Sequence, residues 1–290
     1  KVNYYDYGDD VRQNSMDKVN EAAAIAKKSD LAIVVVGENP LRYQKSKTCG
    51  ENIDRMGLDL LGTQNQLVQK IHETGVPTIV VLVGGRPLSV NWIAQNVQAL
   101  VQAWEPGALG GCALANILAG KVNPSAKLPI SIPRHSGQIQ MIYNHKPSQY
   151  FHKYIDGPST PLYPFGFGLS YTRFAYSSLK LSHTRISDKD SFTASIELTN
   201  VGDREGTEVV QLYIRDIYSS ATRPVKELKD FARVTLKPGE KKTVTFTVTP
   251  DKLAYWNRNM QYGVEKGEFE IMIGSSSQDK DLKKVKMEVL

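Results

Sequence analysis

The apolar residues change rhythm part-way along the chain, and few folds accommodate both rhythms. Residues 31–36 (LAIVVV) and 78–83 (TIVVLV) are unbroken apolar runs, the pattern of strands covered on both faces in a parallel sheet. From about Ala175 the period becomes two. Phe192, Ala194, Ile196 and Leu198 alternate with polar residues, as do Val244, Phe246 and Val248, which is the pattern of strands with one buried face.

Between the apolar runs the spacing is helical. Val19, Ala22, Ala23 and Ala26 share a face over residues 16–28, and Leu60, Leu67, Val68 and Ile71 share one over 59–74, which stops at Gly75. A helix is predicted near 88–95, a third strand within VQALVQAWEPG (97–107) and a small-residue helix after it. Strands alternating with helices predict an α/β sandwich, a mostly parallel sheet with helices on both faces, over residues 1–173. Its last fifty residues are irregular and aromatic. They end in PLYPFGFGLSYT, read as a docking strap anchored by Tyr163, Phe165, Phe167 and Tyr171. Residues 174–290, with turns such as VGDREG and KPGEKK, predict an all-β sandwich of fibronectin type III kind.

Composition excludes several functions. No apolar run approaches the roughly 18 residues of a membrane helix, so no membrane span is expected. The net charge of +6 comes from scattered lysines and arginines, without the one-sided clustering of a nucleic-acid footprint. The two cysteines, Cys49 and Cys112, and the five histidines have no metal-ligand spacing, and whether the cysteines pair is left open by the sequence. No phosphate-binding GxxxxGK[ST] or GxGxxG follows any strand, and no GxSxG is present. The chain starts without an initiator Met or a signal-like segment, and residues 2–5 read as the end of a strand already under way, which favours a piece of a longer protein.

In an open parallel sheet, ligands gather beyond the carboxyl ends of the strands. Glu38 lies two residues past Val36 and so belongs to that rim. Glu51 can fold back over the same rim, or pair with Arg55 at i,i+4 if a helix begins there. Arg86, in LVGGRP, can tie its loop down by bonding carbonyls. Trp104 and Glu105 follow the third strand, where an indole can stack on a sugar or pack in the core.

The ordered set VVVGEN, GENIDRMGLDLLGTQ, VLVGGRPL, AWEPGALGG, GKVNPSAKLPISIPR, PLYPFGFGLSYT and LTNVGDREGTEVVQLYIRD resembles the C-terminal part of glycoside hydrolase family 3, the β-glucosidase and β-xylosidase group, from the first residues nearly to the last. The resemblance implies a retaining, exo-acting β-glycosidase. Its nucleophile would sit on an N-terminal (β/α)8 barrel that these residues lack, and a loop of the α/β domain would supply the acid/base Glu. The Gly-Glu directly after the strand favours Glu38 in that role, and the second GEN of a loop of variable length keeps Glu51 in contention. Arg55 and Trp104 would lie near the substrate. The implied partners are an oligosaccharide or β-glycoside and the barrel, without which the chain would be inactive. No cofactor is needed for carboxylate chemistry. A periplasmic or extracellular location is implied by the resemblance alone. The alternative is a non-catalytic module that binds carbohydrate or a partner chain.

Overall fold

The computed structural model describes residues 1–8, 10, 12, 14–39, 46–148 and 154–290. Residues 40–45 of the long Gly-Glu loop and His152 lie outside them. The chain divides into two compact units, residues 1–119 with 132–140, and residues 120–131 with 141–290.

The first unit follows the predicted alternation. Its elements are α1 (Met16–Ala26), β1 (Ala32–Gly37), α2 (Gln64–His72), β2 (Thr78–Val83), α3 (Asn91–Asn96), β3 (Ala99–Trp104) and α4 (Gly110–Leu118). The strands form a parallel sheet in the order β1-β2-β3. Val19, Ala22, Ala23 and Ala26 of α1 and Leu67, Val68 and Ile71 of α2 are buried as the stripes predict.

Two sequence expectations differ from the structure here. β1 was expected to be covered on both faces, yet Ile33 and Val35 are 50% and 59% exposed while Val34 and Val36 are buried. The reason is that alternate side chains point to opposite faces of the sheet, and at β1 the face carrying Ile33 and Val35 is left open. Residues 2–5 form no strand, and Val2 and Tyr4 are exposed.

The second unit contains β4 (Phe174–Tyr176), β5 (Lys180–Leu181), β6 (Arg185–Ile186), β7 (Phe192–Asn200), β8 (Gly206–Asp216), β9 (Glu227–Leu236), β10 (Lys241–Val248), α5 (Pro250–Leu253), β11 (Tyr255–Trp256), β12 (Tyr262–Gly263), β13 (Gly267–Gly274) and β14 (Leu282–Val289). One sheet runs β10-β7-β4, with β5 also on β7, and the other runs β6-β14-β13-β8-β9. The alternating residues Phe192, Ala194, Ile196 and Leu198 meet Leu212, Ile214, Phe269, Ile271 and Ile273 in one core. Burial of these side chains at about 25 cal/mol per Å² is what holds a sandwich of this size together. Asn200 closes the VGDREG turn. It is fully buried, and its amide donates to the Arg204 and Leu236 carbonyls at 2.7 and 2.9 Å.

Part of the aromatic strap packs on the outer face of the second sheet. Phe165 stacks on Tyr143 at 4.2 Å, beside the fully buried Tyr213. Tyr163 and Phe167 stack on each other at 5.1 Å. Tyr171, expected as a fourth anchor, is 42% exposed, and Tyr143 takes an anchoring position that the sequence did not single out.

One half-buried acid gives the sandwich a pH dependence. Asp216 ends β8, and its Oδ2 is buried without a hydrogen-bond partner among the described residues. Burial pushes its carboxyl from 3.8 up to about 6, against the pull of Arg223. The folded chain therefore holds this proton more tightly than the unfolded chain does. The resulting stabilisation is complete below about pH 4 and is lost as the pH climbs through 6. Asp216→Asn is expected to remove that loss, so urea unfolding should show the variant gaining on the parent chain between pH 4 and 6.5. Parallel curves would contradict this account.

Candidate active site

Glycine decides how closely the two strand ends approach. Gly37 sits at φ 143, and a Cβ there would lie 1.8 Å from the Val83 carbonyl oxygen, so no other residue fits without moving β2. The next amide, that of Glu38, donates to the same carbonyl at 2.8 Å. Gly84, at φ 145, leaves room for the Glu38 side chain, whose Cβ is 3.2 Å from where a Gly84 Cβ would be. Below them the buried Gln64 of α2 accepts from the Gly37 amide at 2.7 Å and donates to the Gly37 carbonyl at 3.0 Å. Gln64 is a polar residue on the apolar stripe of its helix, and that anomaly was the signal available in the sequence.

Glu38 is at the rim as expected, but its carboxylate turns into the protein. The side chain is 1% exposed, and it bridges two arginines, with Arg55 Nη1 donating to Oε1 at 2.7 Å and Arg86 Nε to Oε2 at 3.0 Å. The second arm of Arg55 donates to the Asp59 carbonyl. Arg86 thus ties its loop down through a carboxylate rather than through carbonyls. Burial, with the nearby Glu38 and Glu105 charges, pushes the pKa of the buried Cys49 thiol up. Cys49 and Cys112 are both free thiols.

Glu51 stands apart from this cluster. The described part of its loop starts from a bracket with Asn39. Thr48 donates its amide to the Asn39 carbonyl at 2.8 Å, and the Asn39 amide donates to Thr48 Oγ1 at 2.8 Å. The chain then makes a tight turn closed by the Ile53 amide donating to the Gly50 carbonyl at 3.0 Å. Asn52, at φ 64, holds the third position, where a type II turn needs a positive φ and tolerates Asn. Glu51 is the second residue of that turn and is exposed. No helix starts here, so the i,i+4 geometry with Arg55 does not arise. Past Arg55, the Ser89 amide donates to the Leu58 carbonyl at 2.9 Å.

Trp104 closes β3 beside a bulge in the β2–β3 register. Its φ of 54 is unusual for a bulky residue, and its carbonyl accepts from the Gly84 amide at 2.9 Å. The indole is partly exposed, next to the exposed Glu105. Of the two glutamates of the Gly-Glu loop, Glu51 is thus exposed on a turn pinned at both ends and Glu38 is buried between two arginines. Among the described residues no cluster of three or more His, Cys, Asp or Glu side chains is placed to hold a metal ion.

Residues 4–171 match the glycosyl hydrolase family 3 C-terminal domain. The chain belongs to that family. Residues 208–277 match a fibronectin type III-like domain, in agreement with the observed sandwich. Among relatives of this family 3 chain, a β-xylosidase of Formosa agariphila is 46% identical over all of the chain, which spans 39% of that relative's length. A periplasmic β-glucosidase of Salmonella typhimurium is 41% identical over 89% of the chain and 34% of its own length. Among solved structures, a β-glucosidase from Erythrobacter marinus superposes with a TM-score of 0.89 at 38% identity, covering 100% of this chain and 38% of the other. The family 3 chain thus spans about two-fifths of the length of such relatives.

Proposed function

We propose that this chain supplies the general acid/base carboxylate of a retaining β-glycosidase that removes terminal β-linked sugars, and that Glu51 is that residue. The observation that carries the assignment is the turn at residues 50–53, which holds Glu51 outward on a loop fastened at both ends. A retaining enzyme needs two carboxyl groups about 5 to 5.5 Å apart. One attacks the sugar, while the other protonates the leaving oxygen and then activates water. A residue in the second role must reach a substrate oxygen. Glu38, sealed from solvent with both oxygens engaged by arginines, offers no such approach.

The nucleophile would come from a barrel outside these residues, which is in keeping with relatives more than twice as long. Arg55, engaged with Glu38 and Asp59, acts on the loop, and the partly exposed Trp104 at the end of β3 would face a sugar ring. The names of the relatives support a β-glucoside or β-xyloside as substrate. The Salmonella relative's name supports a periplasmic or extracellular location, and no helix among the described residues is long and apolar enough to cross a membrane.

The direct test is hydrolysis of aryl β-glucosides and β-xylosides by the chain alone and by the chain assembled with a nucleophile-bearing barrel. Turnover is expected only in the assembly. Turnover by the chain alone would place the nucleophile within these residues and overturn the split-site reading. An inert assembly that nevertheless binds substrate would favour a non-catalytic binding module.

A further inference from the structure

The feature that the acid/base assignment leaves unused is the buried Glu38 cluster. Ion pairs of this kind are a poor source of stability, because desolvating the charges costs about as much as their attraction returns, and an apolar substitute is often neutral or better. Their value lies in geometry, since each guanidinium bond fixes a direction as well as a distance.

The geometry at Glu38 is specific to the turn above it. Arg55, four residues after Glu51, closes on the Glu38 carboxylate, and Thr48, three residues before Glu51, is bracketed to Asn39, the residue that follows Glu38. The carboxylate is itself fixed to β2 through its backbone amide, which bonds Val83, and through Arg86. Arg55 also braces its own segment through the Asp59 carbonyl. The far flank of the Glu51 turn is therefore stapled to the ends of β1 and β2 through the Glu38 side chain, and the near flank through the backbone of the next residue.

We infer that Glu38 is a positioning residue for the Glu51 turn, fixing the acid/base relative to the strand ends by gripping Arg55, where the chain leaves the turn. This inference rests on the assignment of Glu51. A displacement of about 1 Å at a reacting group costs on the order of 100-fold in rate. Loosening the staple is therefore expected to harm both steps in which Glu51 moves a proton, and to spare only the departure of a leaving group that needs none.

Two measurements test it. In the 290-residue chain, Glu38→Gln keeps the shape of the side chain and removes its charge. The amides of Thr48 and Ile53 are expected to exchange with solvent at least about tenfold faster, as their opening becomes local, while the Ile271 amide in the sandwich keeps its rate. Unchanged exchange at Thr48 and Ile53 would overturn the inference. In the assembly with the barrel, Glu38→Gln should lower kcat about 10- to 100-fold for an alkyl or methoxyphenyl glycoside, with KM little changed. For the 2,4-dinitrophenyl glycoside, whose leaving group needs no proton, kcat/KM, which reports formation of the glycosyl-enzyme alone, should change less than about threefold. Glu51→Gln, run in parallel, separates the two readings. If it shows this leaving-group selectivity and Glu38→Gln does not, only the positioning role fails. If Glu51→Gln shows none, the acid/base assignment fails and the positioning role with it. Should Glu38→Gln not fold, Arg55→Lys keeps the charge and loses the forked geometry, and it must reproduce the same selectivity or the inference falls.

Discussion

Glu51→Gln, in the chain assembled with a nucleophile-bearing barrel, is expected to cut kcat/KM for poor leaving groups by about 10² to 10⁴, the range that a positioned general acid contributes. The variant keeps the size and hydrogen-bonding shape of the side chain but cannot donate a proton. The residue is exposed at the tip of a turn whose closing bond, Ile53 to Gly50, is made by the backbone, so folding should be untouched. Three signatures should accompany the loss. The basic limb of the pH profile of kcat/KM, which reports the acid, should flatten. The dinitrophenyl glycoside should still form the glycosyl-enzyme quickly and then stall, because water is no longer activated. Added azide should restore turnover, because a small anion needs no general base to attack that intermediate. A variant with normal kcat/KM on poor leaving groups would remove Glu51 from the mechanism.

The second large effect concerns stability. Phe269→Ala is expected to destabilise the sandwich by about 3 to 5 kcal/mol, the usual cost of deleting a buried aromatic ring and leaving a cavity. Phe269 is 1% exposed and packs in the shared core of both sheets, on the central strand β13 between β14 and β8. Domains of this size have only about 5 to 15 kcal/mol in total, so the loss should move the urea midpoint markedly. A change below about 1 kcal/mol would mean that the core collapses around the gap. The exposed Phe231 on β9, changed to Ala, is the matched control and should shift stability by less than about 0.5 kcal/mol.

The candidate site was partly legible before the structure. The rim position of Glu38 followed from the end of an apolar run, and the strand bounds 78–83 match β2. Helix starts were less legible. The stripe from Leu60 suggested a helix over 59–74, whereas α2 begins at Gln64. Leu60 is buried all the same, in the loop that precedes the helix. An apolar residue reports burial, and burial does not require helical backbone.

What the sequence determined by itself is the architecture, a parallel α/β unit and an antiparallel sandwich, because hydrophobic period is a local property that follows directly from backbone geometry and from which face meets water. Only the tertiary structure separated the two carboxylates. Glu38 meets one arginine 17 residues away and another 48 residues away, and no local spacing encodes such partners. Glu51 owes its exposure to a four-residue turn and to anchors from distant strand ends. A glutamate's chemistry depends on what surrounds its carboxylate, and those surroundings come into being only when the strand ends meet.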